Sequence, residues 1–484
     1  MPEKSSKETA KLLSNSEIVI NESSMFVGDV LEKIGVGKFQ IIAICILGLS
    51  WLAEASELVL SPILAAKLLC LWKLSSVQEA MLTSTTVLVT SISYLLLGLV
   101  ADNYGRRFTQ IVALSSAIVF AVLSATAPNF TWLLIIRLMY SFSTGTTNLL
   151  LPYYYELTPL ACRSWCQFLL LMFWTIGRTY PSLVAAFVFS YDSEAWQYLA
   201  LCCCIPLIIS TISLVLYIPE SPYYLIKQGK PEEACEVLRY IAQKNGKKLI
   251  IPKGCTPTLA NDESVKCGLL DSFRVILQQK HLGTFLLGFE VILTTVHVGA
   301  LSMVYLTTEV FQHFGNGHDV CHSGNHHTNF TSKCYQLRKV DYIGIASLTG
   351  SEVISNILVG IFIFRTQIYQ YGTIGSLIIL GLLSILFMCP KPPIYITILI
   401  IVNVVASMMN NMLTTDLPRF LPTGIRSTIM GFSLVLPHLI VPLMPFVVQI
   451  GGKAHFTAVL GLFLALFGTS FFASVMVNEP PQLL

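Results

Sequence analysis

The sequence predicts an all-α membrane protein whose twelve transmembrane helices form two pseudo-symmetric six-helix bundles. Three observations carry that expectation. Only 12% of the 484 residues are charged while 54% are apolar, against roughly 25% charged in an average soluble domain. Charge-free stretches long enough to cross a bilayer, about 20 residues for about 30 Å of hydrocarbon, recur along the chain. A motif in the first half also returns in the second at a constant offset of 263 residues. The charge deficit excludes an ordinary cytosolic enzyme, because 30 basic and 27 acidic side chains cannot enclose a soluble core of this size. Lipid is the expected partner of the apolar surface. A net charge of +3 is too near balance to imply nucleic-acid binding.

Residues 1–38 form an expected cytoplasmic tail whose first 24 residues, rich in Ser, Lys and Glu, are predicted disordered. No cleavable signal peptide is expected ahead of the first span, which should act as an uncleaved targeting signal. Spans near 39–66, 78–101, 108–127, 131–152, 165–190 and 196–217 make an N-terminal bundle over 39–217. A polar linker occupies 218–281, where Pro231 at a first helical position with Glu232 and Glu233 behind it predicts a short amphipathic helix. The C-terminal bundle, 282–477, follows with spans near 282–311, 341–364, 366–390, 392–415, 427–452 and 454–478, an outer loop at 312–340 and a tail at 478–484. The last four of these spans hold no Asp, Glu, Lys or Arg.

Orientation follows from the basic residues. With the N-terminus inside, the cytoplasmic segments hold 21 of the 30 Lys and Arg, the outer segments 7, and the spans the remaining two, Arg137 and Arg178. Both termini and the linker are thereby expected in the cytoplasm.

Six of the 13 cysteines fall within spans, where a thiol packs as a small apolar group, as expected for Cys202, Cys203 and Cys204. Cys321 and Cys334 instead share the outer loop with the glycosylation sequon at Asn329. An oxidising exterior favours a disulfide between them, with Cys70 in the first outer loop as a competing partner. His318, His322, His326 and His327 in the same loop lack a metal-ligand spacing and are expected to be solvated.

Glu156, Pro159, Arg163 and Ser164 return as Arg419, Pro422, Arg426 and Ser427. At the same offset, the segment from Gly98 through Asp102, Gly105, Arg106 and Arg107 falls on Ile361 to Gln370, where Arg365 stands at the position of Asp102 and the motif is lost. Gly-x-x-x-Asp-x-x-Gly-Arg-Arg after the second span, Glu-x-x-Pro-x-x-x-Arg after the fourth and Pro219-Glu220-Ser221-Pro222 after the sixth resemble the major facilitator superfamily, the last resembling its organic-ion branch. Ile34-Gly-Val-Gly-Lys-Phe-Gln40, Glu54 with Glu57, Cys70-Leu-Trp72, Thr307-Thr-Glu309-Val-Phe-Gln312 and Asp319-Val-Cys321 are similar to the synaptic vesicle glycoprotein two and related-protein branch. The resemblance covers roughly residues 25–478. It implies two bundles that rock about a central cavity, in a vesicular or plasma membrane, as a monomeric transport unit without cofactor or metal. The chain departs from the family at Phe364-Arg-Thr-Gln367, at Arg419 where Glu is usual, and at Asn403 where span 10 usually carries Arg.

Within that frame Gly98, Asp102, Gly105, Arg106 and Arg107 suit a cytoplasmic gate, in which Asp102 faces a helix N-terminus or a partner Arg and releases on opening. Glu156 with Arg163 would close the same network, and Arg426 is the repeat counterpart. Charges within hydrocarbon each cost about 2.5–3.5 kcal/mol near a helix centre, so those retained there are functional candidates. Glu54 and Glu57 lie three apart on one helical face, where mutual repulsion and desolvation favour proton uptake; the competing reading is a structural pair with Arg137. Arg178, Glu290, His297 and Glu352 are expected to line the same cavity. Four acids (Glu54, Glu57, Glu290, Glu352) against two bases tilt the expected substrate toward an organic cation. Arg178 favours a carboxylate instead. Trp51, Trp174, Tyr180 and Tyr305 could stack on a cation.

Two functions follow. The first is secondary or facilitative transport of a small organic solute, with proton coupling. The second is a transporter-like receptor or sorting component that no longer transports, motivated by the lost motif at 364–370 and by Arg419. Neither a nucleophile elbow, a phosphate loop nor a metal-ligand set supports an enzyme.

Overall fold

The structure, a computed structural model, describes residues 17–19, 24–146, 150–192, 194–251, 256–258, 280–315, 337–362, 375–376, 378–383, 392–420 and 436–450. The predicted span 454–478, most of 366–390, the tail 478–484 and the loop around Arg365 lie outside the described residues.

In the first half, α1 (Val27–Ile34) precedes α2 (Lys38–Leu71), α3 (Ser76–Tyr104), α4 (Arg106–Ala125), α5 (Phe130–Thr144) and α6 (Leu150–Glu156). Next come α7 (Arg163–Tyr191), α8 (Trp196–Cys203) and α9 (Ile205–Tyr217). Among the described residues, eight helices are long and apolar enough to cross a membrane, counting α8 with α9 as one and the two segments within Lys339–Gly360 as one. Helix starts follow local chemistry. Ser75 accepts from the Gln78 amide at α3, and the Asn129 side chain accepts from the Trp132 amide at α5. The sixth span breaks at Cys204, because Pro206 in the first turn of α9 has no amide to continue the ladder. Close packing relies on small residues: a Cβ on Gly177 of α7 would stand 2.3 Å from the Leu52 carbonyl of α2.

The linker carries α10 (Pro222–Lys227) and α11 (Pro231–Lys244); Pro231, Glu232 and Glu233 occupy the first turn of α11 as predicted. The tail departs from expectation. Strand β1 (Glu17–Val19) pairs in parallel with β3 (Lys248–Ile250), and β2 (Ser24–Phe26) with β4 (Thr256–Thr258). So part of the segment expected to be disordered is ordered by the linker. The apolar stripe of α1, Val27, Val30, Leu31 and Ile34, is buried in one core with Leu238, Ile241 and Leu249. Asn245 ties this platform to the membrane helices: its Oδ1 accepts from the Phe39 amide at 2.9 Å, and its Nδ2 donates to Gln40 Oε1 at 2.9 Å.

The second half contains α12 (Lys280–Gly315), α13 (Lys339–Gly350), α14 (Glu352–Phe362), α15 (Pro392–Phe420) and the shorter α16 (Leu436–Val448). The eighth span is interrupted at Ser351, whose hydroxyl turns back to the Leu348 carbonyl at 2.6 Å. The halves meet where α7 packs on α13 and α14, α3 on α16, and α2 on α12.

Candidate functional site

Glu57 and Arg137 form a buried ion pair inside the first half. Arg137 Nη1 donates to both carboxylate oxygens at 2.6 Å, and the Ser61 hydroxyl, one turn along α2, adds a third bond at 2.8 Å. The Arg137 guanidinium lies over the Tyr140 ring. A cavity of about 10 Å³ lined by Ser56, Ser124, Cys203 and Cys204 adjoins the pair, about the room one water needs.

Glu54 takes a different partner. For Glu57 the competing expectation, a structural pair with Arg137, is the arrangement observed. Glu54 accepts a hydrogen bond from the Tyr94 hydroxyl of α3. The Tyr94 ring stands edge-on to His438 of α16 at 5.4 Å, and His438 lies 4.8 Å from the ring of His297 on α12. His297 Nδ1 in turn contacts Asn410 Oδ1 at 3.0 Å. A polar chain thus runs from the first half into the second. Ser91 reinforces the crossing by donating to the His438 carbonyl at 3.0 Å.

A second crossing joins α7, α14 and α15. Arg178 Nη1 pairs with Glu352 Oε1, both residues being at most 3% exposed. Asn403, Ser407 and Asn411 recur every four residues along α15, so they share one face. Asn403 Nδ2 donates to the Leu348 carbonyl at 3.0 Å, the Ser407 hydroxyl to Glu352 Oε1 at 3.2 Å, and Asn411 Nδ2 to Asn356 Oδ1 at 2.6 Å. Asn356 Nδ2 completes the ladder at Thr175 Oγ1 of α7, 2.9 Å away. Asn403, at the position where the resemblance implied Arg, therefore joins α15 to the eighth span. Of the predicted residues, Arg178, Glu352, Glu54 and His297 stand between the halves, Glu57 and Arg137 stand inside the first half, and Glu290 is half-buried two turns before His297 on α12. Trp51 and Trp174 contact edge to face at 6.0 Å, and Tyr180 is held by the Cys202 carbonyl at 2.9 Å.

The charged cluster on the linker face is confined to the first half among the described residues. Arg106 pairs with Glu156 at 2.9 Å and more loosely with Asp102 at 3.8 Å. Arg163 does not close this network with Glu156, as had been expected: it donates to the Tyr155 carbonyl at 3.0 Å and covers that ring. Asp102 thus faces a partner Arg, and the start of α4 is capped by Glu220, whose carboxylate accepts from the Arg106 and Arg107 amides at 3.0–3.2 Å. Gly105 makes the approach feasible, having φ +104° and a Cβ position only 2.5 Å from Glu220 Oε2. Gly98 lies in α3, half-buried, and Arg107 Nη2 reaches the Val215 carbonyl at 2.8 Å. Burial raises the Glu156 pKa, with Arg106 opposing.

Cys70 is disulfide-bonded. Cys321, Cys334, Asn329 and Arg426 lie outside the described residues, as does the side chain of Arg419. Among the described residues no group of three or more His, Cys, Asp or Glu is placed to hold a metal.

Similarity to known proteins agrees with this architecture. Residues 52–478 match the family model for sugar (and other) transporters. The synaptic vesicle 2-related protein of Xenopus laevis is 29% identical over 435 residues, covering 89% of this chain and 76% of that protein. Organic cation/carnitine transporter 7 of Arabidopsis thaliana is 33% identical over 230 residues, 47% of this chain and 45% of its own length. Among solved structures, the partially occluded inward-open xylose transporter XylE of E. coli superposes with a TM-score of 0.65 at 16% identity, over 92% of this chain and 99% of that one. XylE as a proton:xylose symporter bound to 6-bromo-6-deoxy-D-glucose gives 0.62 at 14% identity, over 90% and 95%. The chain is a multi-pass membrane protein with the major facilitator fold, and it belongs to the sugar (and other) transporter family.

Proposed function

We propose that this protein moves a small organic ion across the membrane by alternating access between its two halves, with proton coupling. The observation that supports this best is the polar layer between the halves, where Arg178 meets Glu352 and Tyr94 meets His438 across a lipid-embedded interface. Buried polar side chains are costly in a membrane and are retained where a pathway runs. Within the spans the acids Glu54, Glu57, Glu290 and Glu352 outnumber the bases Arg137 and Arg178, a surplus that suits a cationic group. Glu57, held by Arg137 inside an apolar bundle, is the favoured proton-coupling group, since its protonation would release a buried guanidinium. The transport unit is a monomer.

Purified protein in liposomes, screened for solute flux with and without a pH gradient, tests this. Flux is expected to follow the gradient and to lose that dependence in Glu57→Gln. A pH-independent flux unchanged by Glu54→Gln and Glu57→Gln sinks the coupling.

The lost motif at 364–370 and Arg419 favour a second reading, a transporter-like receptor or sorting protein. Cysteine labelling of the interface separates the two: alternating accessibility supports transport, and one fixed pattern supports the receptor. We place both termini and the linker in the cytoplasm and the protein in a vesicle or plasma membrane, on the basic-residue bias and the vesicle-related relatives. A mobility shift on deglycosylation that Asn329→Gln abolishes is the expected sign that 312–340 faces the lumen or exterior.

A further inference from the structure

The Arg178–Glu352 contact leaves each partner half used. Glu352 takes only Nη1 of the guanidinium, while Nε and Nη2 are buried without a hydrogen-bond partner among the described residues. Those two N–H groups form one edge of the planar fork, and that edge matches the two oxygens of a carboxylate. Arg178 is 2% exposed, so the vacant edge is a buried donor pair. On the other side, Glu352 Oε1 receives Arg178 and the Ser407 hydroxyl, and no hydrogen bond reaches Oε2 among the described residues. Asn403 Oδ1, one turn away on α15, is a further buried acceptor without a partner. The junction between the halves therefore holds an unused anion-binding edge beside unused acceptors. Trp174, one turn before Arg178 on α7 and edge to face with Trp51, adds an aromatic surface suited to an alkylated ammonium.

We propose that the Arg178–Glu352 junction is the docking site of a zwitterionic solute, whose carboxylate takes the Nε/Nη2 edge of Arg178 and whose ammonium takes Glu352 and the Asn403 carbonyl. The proposal rests on the transport reading above and narrows its substrate to a molecule carrying both charges. A lone cation would meet Arg178 as a like charge in the same junction, and a lone anion would meet Glu352. A zwitterion inserts with no net change in buried charge and supplies each half of the bridge with a counter-charge when the halves move apart.

Thermal-shift titration of the purified full-length protein tests this with probes of matched shape. These are glycine betaine and 4-(trimethylammonio)butanoate as zwitterions, choline as the cation and 3,3-dimethylbutanoate as the anion. At least one zwitterion is expected to bind at least about tenfold more tightly than choline or dimethylbutanoate, and Arg178→Gln or Glu352→Gln to remove that preference. The charge-swapped double variant, Arg178→Glu with Glu352→Arg, rebuilds the bridge and is expected to recover zwitterion binding. It keeps the test decisive if a single variant does not fold. Equal binding of choline or dimethylbutanoate, no shift with any zwitterion, or single variants that bind zwitterion as the parent does would each overturn the proposal. Liposome flux separates the two levels. Zwitterion binding without flux overturns transport and leaves the site standing, while flux of a singly charged solute that survives Arg178→Gln leaves transport standing and overturns the site.

Discussion

Glu57→Gln is the substitution whose cost the structure defines best. Glu57 and Arg137 have side chains 8% and 3% exposed, joined by two contacts of 2.6 Å. The amide that replaces the carboxylate can still accept from Arg137 and Ser61 but carries no charge, so the guanidinium stays charged and uncompensated in the bundle. Removing one partner of such a pair costs about 3–5 kcal/mol, whereas replacing both with apolar groups of similar volume is neutral or stabilising by about 1–4 kcal/mol. The expected order of stability is therefore Glu57→Gln far below the parent and the double variant Glu57→Leu with Arg137→Met close to it or above. Reversible unfolding in mixed micelles measures both, and the coupling between sites is the difference between the double variant and the sum of the singles. Additive losses, or a Glu57→Gln cost below about 0.5 kcal/mol, would show that the pair is hydrated and not a desolvated ion pair. The cavity beside it limits that alternative, because at about 10 Å³ it has room for about one water.

Three further outcomes follow from the linker face. Gly105→Ala forces a side chain into φ +104° and against Glu220 Oε2; a loss of about 1–3 kcal/mol is expected in the same unfolding assay, and an unchanged midpoint refutes the cap. Asn245→Ala removes the acceptor of the Phe39 amide at the start of α2, with an expected loss of about 1 kcal/mol and faster proteolysis of the 218–281 linker. Glu156, with its pKa raised by burial, keeps its proton to higher pH when folded than when unfolded. Its contribution is complete below the unfolded value of about 4.3 and fades as pH rises through the folded one. Melting temperatures measured across that window should lose this slope in Glu156→Gln, and an identical slope in the variant would assign the titration to another group.

The spans were legible because hydrocarbon imposes one rule on every backbone group that enters it, so length and charge alone place α2, α3, α4, α7, α12 and α15. Side-chain partners obey no such local rule. Glu54 and Glu57 do share a face of α2, but that face is wide enough for two neighbours, and Tyr94 and Arg137 divide it. The pairing of Glu17–Val19 with Lys248–Ile250 joins segments more than two hundred residues apart, and nothing in either triplet names the other. Glu220 was visible as part of a motif, yet its role depends on α4 starting where its carboxylate ends.

His438 and the ladder on α15 were missed for a different reason. The predicted spans 392–415 and 427–452 were recognised by their lack of Asp, Glu, Lys and Arg, a test blind to histidine, asparagine and serine. In water these residues say little about contacts. In lipid an amide or hydroxyl without a partner is costly, so Asn403, Ser407 and Asn411 at a four-residue period mark a face that must meet polar groups on another helix. The structure supplies them at Leu348, Ser351, Glu352 and Asn356. The spans 392–415 and 427–452 therefore lack charge without lacking polarity. Glu352, the partner of Arg178 in the second half, is held in place by an uncharged ladder, which is why losing the gate charges around Arg365 does not by itself remove the means of joining and parting the two halves.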